Sequence, residues 1–337
     1  MKEAVKISSR YSLPPKRVDL LHSQTPLTRL SRASEKANAD IWIKRDDLLP
    51  IGLGGNKLRK LEYLLSQALA ENCDCIITAG AMQSNHCRLT AASAAMLGLE
   101  CHLALGGAAP ALSRGNLLLD ELFGAHIHWS GNHRKGEMLS QIADTLRQKG
   151  KRPYLIPYGG SNAIGALGFV EAAVEIHHQL AAQGITKANI VTASSSGGTQ
   201  SGMTVGAHLL EADWQIHAIG IDKSEAGDQP YPTRLTDIAN EAASKIGSES
   251  CYSEKDFIVH TGYLGEGYGV ISDMERSAIR FLAQTEGLIV DPVYTGRAFA
   301  GCLDLLKKRE LEANIPTIFW HTGGVPALFA FEKELSS

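Results

Sequence analysis

Strand-like apolar runs and helix-periodic segments alternate along almost all of this 337-residue chain, and that alternation restricts the fold more than any other feature. The short, largely apolar runs at 41–47, 73–78, 100–105, 125–129, 153–157, 189–193, 216–221 and 316–320 predict strands. Helical spacing fills 58–69, 84–97, 116–123, 137–149, 161–176, 199–210, 236–246 and 273–286, and a helix closes the chain after 324. A strand, a long helical crossover and a further strand is the connection that parallel neighbours require. The expected class is therefore α/β, with mostly parallel sheets flanked by helices. One small core cannot accommodate this length, so two domains are expected. No composition shift or low-complexity segment marks a linker. The polar stretch 223–233 reads as loop, and Pro14 and Pro15 argue against helix near the start.

Charge and cysteine usage exclude several classes. A formal net charge of −3 without a basic run argues against nucleic-acid binding. No apolar run reaches the ~18 residues of a spanning helix, and the first six residues lack the apolar core of a secretory signal. A cytoplasmic enzyme-like chain with reduced thiols and a small-molecule ligand is expected, with neither membrane nor metal. Cys73, Cys75, Cys87, Cys101, Cys251 and Cys302 show no disulfide or zinc-ribbon spacing and read as small buried residues, Cys73 and Cys75 on one strand face.

In parallel α/β sheets ligands gather at the carboxyl ends of the strands, where loops 80–85, 194–199, 291–296 and 321–324 fall. In the second, Ser194-Ser195-Ser196-Gly197-Gly198-Thr199 offers N–H groups, hydroxyls and a helix start to an anion. No lysine follows those glycines, which excludes a Walker A loop, and no Gly-x-Gly-x-x-Gly stands at a strand end. One terminal phosphate fits; an ordinary Gly/Ser turn fits equally. Lys57 follows Gly54-Gly55-Asn56 in the first turn of a helix, where the dipole favours a neutral, nucleophilic amine. It is a candidate Schiff-base lysine, although alone it reads more simply as a solvated lysine like Lys60. Ser84 and Asn85 open another helix as ligand contacts or as a plain N-cap. Tyr268 and Tyr294 stand on loops and serve either as acid, base or stacking groups or as core residues. Thr322 reads as a turn hydroxyl, and Asp46 and Asp47 as capping or ion-pair residues. His86, His177, His178 and His321 lack triad or ligand spacing and read as structural.

Seven ordered stretches carry a resemblance: 43–47, 54–62, 83–86, Gly159-Gly160-Ser161-Asn162 with 165–168, Gly269, Asp291-Pro292-Val293-Tyr294-Thr295-Gly296 and His321-Thr322-Gly323-Gly324. From about Thr25 to Phe331 the chain resembles fold-type-II, tryptophan-synthase-β-like enzymes that use pyridoxal 5′-phosphate. Within them it is most similar to the family holding 1-aminocyclopropane-1-carboxylate (ACC) deaminase and D-cysteine desulfhydrase. The resemblance implies that Lys57 carries the cofactor and Asn85 faces its ring hydroxyl. It implies that Ser195, Ser196, Gly197, Gly198 and Thr199 hold the phosphate, and that Ser84, Tyr268 and Tyr294 meet the substrate. It also implies a homodimer, with a small domain at 56–164 inserted into a large one at 1–55 and 165–337.

Two positions divide this family. The deaminases are similar in carrying Tyr-Glu-Gly after Asp-Pro-Val and leucine before the last glycine pair, whereas this chain has Thr295 and Thr322. A carboxylate near the ring nitrogen keeps it protonated and strengthens the electron sink, which opening a cyclopropane needs more than loss of thiolate does. The threonine pair thus favours α,β-elimination of D-cysteine to pyruvate, hydrogen sulfide and ammonia. ACC deamination and sulfite elimination from L-cysteate are the enzyme alternatives. A non-catalytic amino-acid-binding protein is the other class, and Lys57 with the phosphate loop counts against it.

Overall fold

Ten strands form in the computed structural model, which describes residues 7, 11–13, 17–222 and 230–336. They are β1 (Leu27–Arg29), β2 (Ile41–Arg45), β3 (Cys75–Ala81), β4 (Glu100–Gly106), β5 (His126–Trp129), β6 (Pro153–Leu155), β7 (Lys187–Ser194), β8 (Asp213–Gly220), β9 (Ile258–His260) and β10 (Thr317–His321). One sheet has the order β1-β2-β10-β7-β8-β9, the other β5-β4-β3-β6. Every neighbouring pair is parallel except β1 with β2. The two helix-flanked, mostly parallel sheets agree with the α/β class expected from the alternation.

The helix Ala163–Ala182 runs through the interior against Lys57–Ala70 on one side and Gly198–Leu209 on the other. Both crossings are close because glycines face them. A Cβ on Gly168 would lie 2.1 Å from the Arg59 carbonyl oxygen, and one on Gly202 2.2 Å from that of Ala166. This packing fixes the Lys57 helix relative to the Ser194–Thr199 loop.

Several boundaries differ from the sequence expectation. β3 begins at Cys75 and runs to Ala81, so Cys73 precedes the strand and the shared face with Cys75 does not exist. Cys75, Cys87, Cys101 and Cys302 are buried, but Cys73 is half-buried and Cys251 exposed. The stretch read as loop at 223–233 ends in a helix, Tyr231–Lys245, which Pro232 can enter because the first turn needs no N–H there. Residues 223–229, the first six residues and Pro14 and Pro15 lie outside the described residues. The helix Thr295–Lys307 was hidden behind the 291–296 loop motif, although Phe299, Cys302, Leu305 and Leu306 give it a buried helical face. Among the described residues no helix is long and apolar enough to cross a membrane.

Candidate active site

The Gly54-Gly55-Asn56-Lys57 turn is shaped by contacts that leave no room for side chains. Gly54 has φ +73°, and a Cβ there would stand 2.0 Å from the Asp47 carbonyl oxygen. The Asn56 N–H donates to the Thr322 carbonyl at 3.0 Å, and its Nδ2 to Thr199 Oγ1 at 3.2 Å. Three sequence-distant loops are thereby tied around one cleft with about 590 Å³ of empty space. Its lining includes Lys57, Ser84, Asn85, Ser195, Ser196, Gly197, Thr199, Tyr294 and Thr322 from the sequence expectation, together with Asn56, His86, Tyr158 and Gly159. Gly198, Tyr268 and Thr295 are not on its wall.

Two lysines meet beside this cleft. Burial pushes the Lys57 amine down to about 8, with a hydrogen bond to Lys60 acting in the opposite direction. Lys60 is fully buried and donates to Ser161 Oγ at 2.9 Å and to the Gly159 carbonyl at 3.2 Å. Burial, then the Lys57 and Arg234 charges, hold its amine well below the ordinary lysine range. Neither lysine is the solvated surface residue that its helix position suggested.

The Ser194–Thr199 loop faces these cations. Ser196 Oγ and Ser161 Oγ are 2.7 Å apart, the Gly198 N–H donates to Ser161 Oγ at 3.2 Å, and Arg234 Nε donates to the Ser196 carbonyl at 3.2 Å. Gly197 takes φ +92°, and the helix Gly198–Leu209 starts directly after it. Hydroxyls, N–H groups, a helix start and the nearby Lys57, Lys60 and Arg234 converge where, among the described residues, no carboxylate lines the cleft. Such a donor set fits a phosphate dianion.

The opposite wall begins at Ser84, which is an N-cap as well as a lining residue: its Oγ accepts from the Cys87 N–H at 3.2 Å. Asn85 Oδ1 accepts from Asn116 Nδ2 at 2.8 Å, which leaves the Asn85 Nδ2 hydrogens for the cleft. His86, read as structural from its spacing, stands on the cleft wall. Its Nε2 meets Thr78 Oγ1 at 2.9 Å, and that hydroxyl spends its proton on the Ile156 carbonyl. His86 is therefore the Nε2–H tautomer, with a buried Nδ1 that has no hydrogen-bond partner among the described residues. Burial, then the two lysine charges, keep it neutral by holding its pKa well below the ordinary value.

Tyr268 stands behind Tyr294, their hydroxyls 2.5 Å apart and their rings edge to face. Burial raises both phenols far above the ordinary range, so both keep their protons. Arg134 covers the Tyr268 ring at 4.4 Å and bonds Asp222 at 2.7 Å. Thr295 Oγ1 donates to Asp291 Oδ1 at 2.6 Å, and the Asp291 carboxylate also accepts the N–H groups of Val293, Tyr294 and Thr295. Asp291 thus shapes the turn that presents Tyr294, while Thr322 is the hydroxyl of the threonine pair that reaches the cleft. Sequence reading missed Lys60 although it lies three residues from Lys57 on one helix face, which is a usable signal. His86 had a weaker one, in the first turn of the Ser84-capped helix. Tyr158 had none.

Comparison with known proteins agrees with this geometry. The family model for pyridoxal-phosphate dependent enzymes matches residues 18–323. A D-cysteine desulfhydrase of Yersinia enterocolitica is 42% identical over 325 residues, spanning 95% of this chain and 97% of that protein. One of Klebsiella pneumoniae is 41% identical over 326 residues, with the same coverage. A crystal structure of an ACC deaminase homologue superposes with a TM-score of 0.87 at 36% identity, over 96% of this chain and 99% of that one. O-ureido-L-serine synthase shares the fold at 18% identity and a TM-score of 0.64, over 95% and 96% of the two chains. The donor-rich cradle beside a buried, pKa-lowered lysine is what a phosphorylated aldehyde requires. The chain belongs to the pyridoxal-phosphate dependent enzymes, and pyridoxal 5′-phosphate is its cofactor.

Proposed function

We propose that this enzyme catalyses α,β-elimination of D-cysteine, consuming water and releasing pyruvate, hydrogen sulfide and ammonia. The observation that carries this reading is the cleft lining: threonine at 322, and no carboxylate among the described lining residues. Asp291, a carboxylate close by, already accepts four hydrogen bonds within its own turn. A ring nitrogen without a carboxylate partner suits departure of a good leaving group better than rupture of a cyclopropane. The two D-cysteine desulfhydrases at 41–42% identity support the same substrate.

Bound cofactor supplies an electron sink for the bond broken at Cα. Lys57 anchors it at rest and is then the base that takes the Cα proton. Lowering an amine from 10.5 to about 8 raises its neutral fraction near neutral pH roughly 300-fold. Ser84 and Asn85 hold the substrate carboxylate and the cofactor ring oxygen, with Asn116 fixing which Asn85 atoms donate. Ser195, Ser196, Gly197 and Thr199 hold the phosphate, and Gly198 and Lys60 complete the cradle from behind through Ser161. Tyr294, kept protonated by burial, donates toward the departing sulfur, and Tyr268 acts through it. Tyr294→Phe is therefore expected to lower kcat more than Tyr268→Phe, and equal losses in a steady-state sulfide assay would contradict that order.

The division into a small domain at 56–164 and a large one around it, and a homodimer, belong to the same reading. Leu48, Leu53, Leu118 and Phe329 gather as exposed apolar side chains beside Pro326, a surface suited to a second copy.

Turnover of D-cysteine, L-cysteine, L-cysteate and ACC, measured side by side, tests the substrate. D-Cysteine is expected to be fastest; faster cysteate or ACC would overturn the assignment. Thr295→Glu combined with Thr322→Leu should depress sulfide release from D-cysteine at least tenfold, and unchanged kinetics would remove the threonine pair from the argument. Gly159→Val is expected to weaken cofactor affinity about tenfold, since Gly159 has φ +65° and its Cβ would stand 2.2 Å from Ser196 Oγ. Titration of the apoenzyme with cofactor measures this, and an unchanged affinity would show that the cradle tolerates the side chain.

A further inference from the structure

On the smaller sheet, away from the cleft, Glu100 and His102 alternate along β4 while His126 and His128 alternate along β5. His102 pairs directly with His126, and Ala104 with His128, so all four side chains share the face covered by the helix Leu139–Gln148. Both imidazoles address one oxygen: His102 Nε2 lies 3.0 Å and His126 Nε2 3.5 Å from Glu100 Oε1. The three ligand atoms all fall within 4.8 Å of one another.

Bonds of about 2.0–2.1 Å in a tetrahedral zinc site place ligand atoms about 3.3–3.4 Å apart. The two short separations bracket that spacing, and His126, exposed at the surface, can turn to close the third. An outer partner is also in place, because His102 Nδ1 is 3.0 Å from His128 Nε2, which can hold the His102 ring with Nε2 toward a metal. Lys151 occupies only the other oxygen of Glu100, Oε2, at 2.5 Å.

We propose that Glu100, His102 and His126 form a zinc-class divalent metal site, with water completing the coordination and His128 orienting His102. β5 is the edge strand of its sheet, so the ion would pin that edge to β4. This role is structural and independent of the cofactor cleft.

Zinc alone, titrated into the metal-stripped holoenzyme against a chromophoric chelator, tests the site. The wild type is expected to bind one ion per chain at these residues. His126→Ala, an exposed change that should leave folding and cysteine turnover intact, should weaken binding at least about 100-fold, and His128→Gln about 10–100-fold. Cys251→Ser should change nothing. Failure of the wild type to compete for zinc, or undiminished affinity in His126→Ala, would overturn the proposal and leave the cluster as a hydrogen-bonded surface network.

Discussion

Lys57→Ala is expected to lower D-cysteine turnover by about 10⁴-fold, the upper end of what one positioned base contributes. On the proposed reading the same amine anchors the cofactor and takes the Cα proton, so no neighbouring group would restore both roles. Lys60 lies beside Lys57, but it is committed to Ser161 and the Gly159 carbonyl. The visible band of lysine-bound cofactor should disappear with the activity. Pyruvate formation within tenfold of wild type, or a retained band, would move the chemistry away from Lys57. Lys60→Met gives the contrast: weaker cofactor binding, with the Lys57-dependent band kept when cofactor is saturating.

Arg59→Met is expected to destabilise the protein by about 3–5 kcal/mol, because it strips a buried guanidinium from two buried carboxylates. Arg59 bonds Asp46 through Nε at 2.9 Å and Nη2 at 2.7 Å, Glu175 through Nη1 at 2.8 Å, and Thr25 Oγ1 at 3.0 Å. Trp320 Nε1 donates to the same Asp46 at 2.8 Å, and Lys44 bonds Glu175. The network ties the Lys57 helix to β2, to β10 and to the long Ala163–Ala182 helix, so the loss should also disturb the cleft. A denaturant midpoint at fixed slope measures it, and a change below about 1 kcal/mol would contradict the account.

The pH dependence has a definite sign. Burial alone would raise the Glu175 carboxyl, but Arg59 and Lys44 override it and hold the pKa at about 2, against an ordinary 4.5. A depressed acid contributes stability that is complete above about pH 4.5 and is lost as pH falls toward 2. The wild type should lose that advantage across this window, so its gap from Arg59→Met should narrow on acidification. A gap that widens instead would contradict the network as described.

The α/β class was legible because crossovers of helical period between short apolar runs permit few other arrangements. The helix carrying Lys57, the Ser84 cap and the Ser194–Thr199 cradle each had a local signature in residue type and spacing. What escaped depended on long-range packing. Thr295 has the composition of a ligand contact, yet its hydroxyl is committed to Asp291, which only the folded turn reveals. Tyr268 likewise bears on the cleft through Tyr294. The His86 tautomer follows from Thr78 and Ile156, whose carbonyl lies 78 residues from the hydroxyl it fixes. The pair at His102 and His126 was invisible for the same reason, since neighbouring strands and not sequence spacing bring it together.

The most direct test of the site is reductive trapping of the cofactor in the holoenzyme with borohydride, followed by proteolysis and mass mapping. The account predicts one cofactor per chain, attached to Lys57 in the peptide that contains Gly54-Gly55-Asn56-Lys57. Attachment to Lys60, three residues away on the same buried helix face, or to any other lysine, would contradict it.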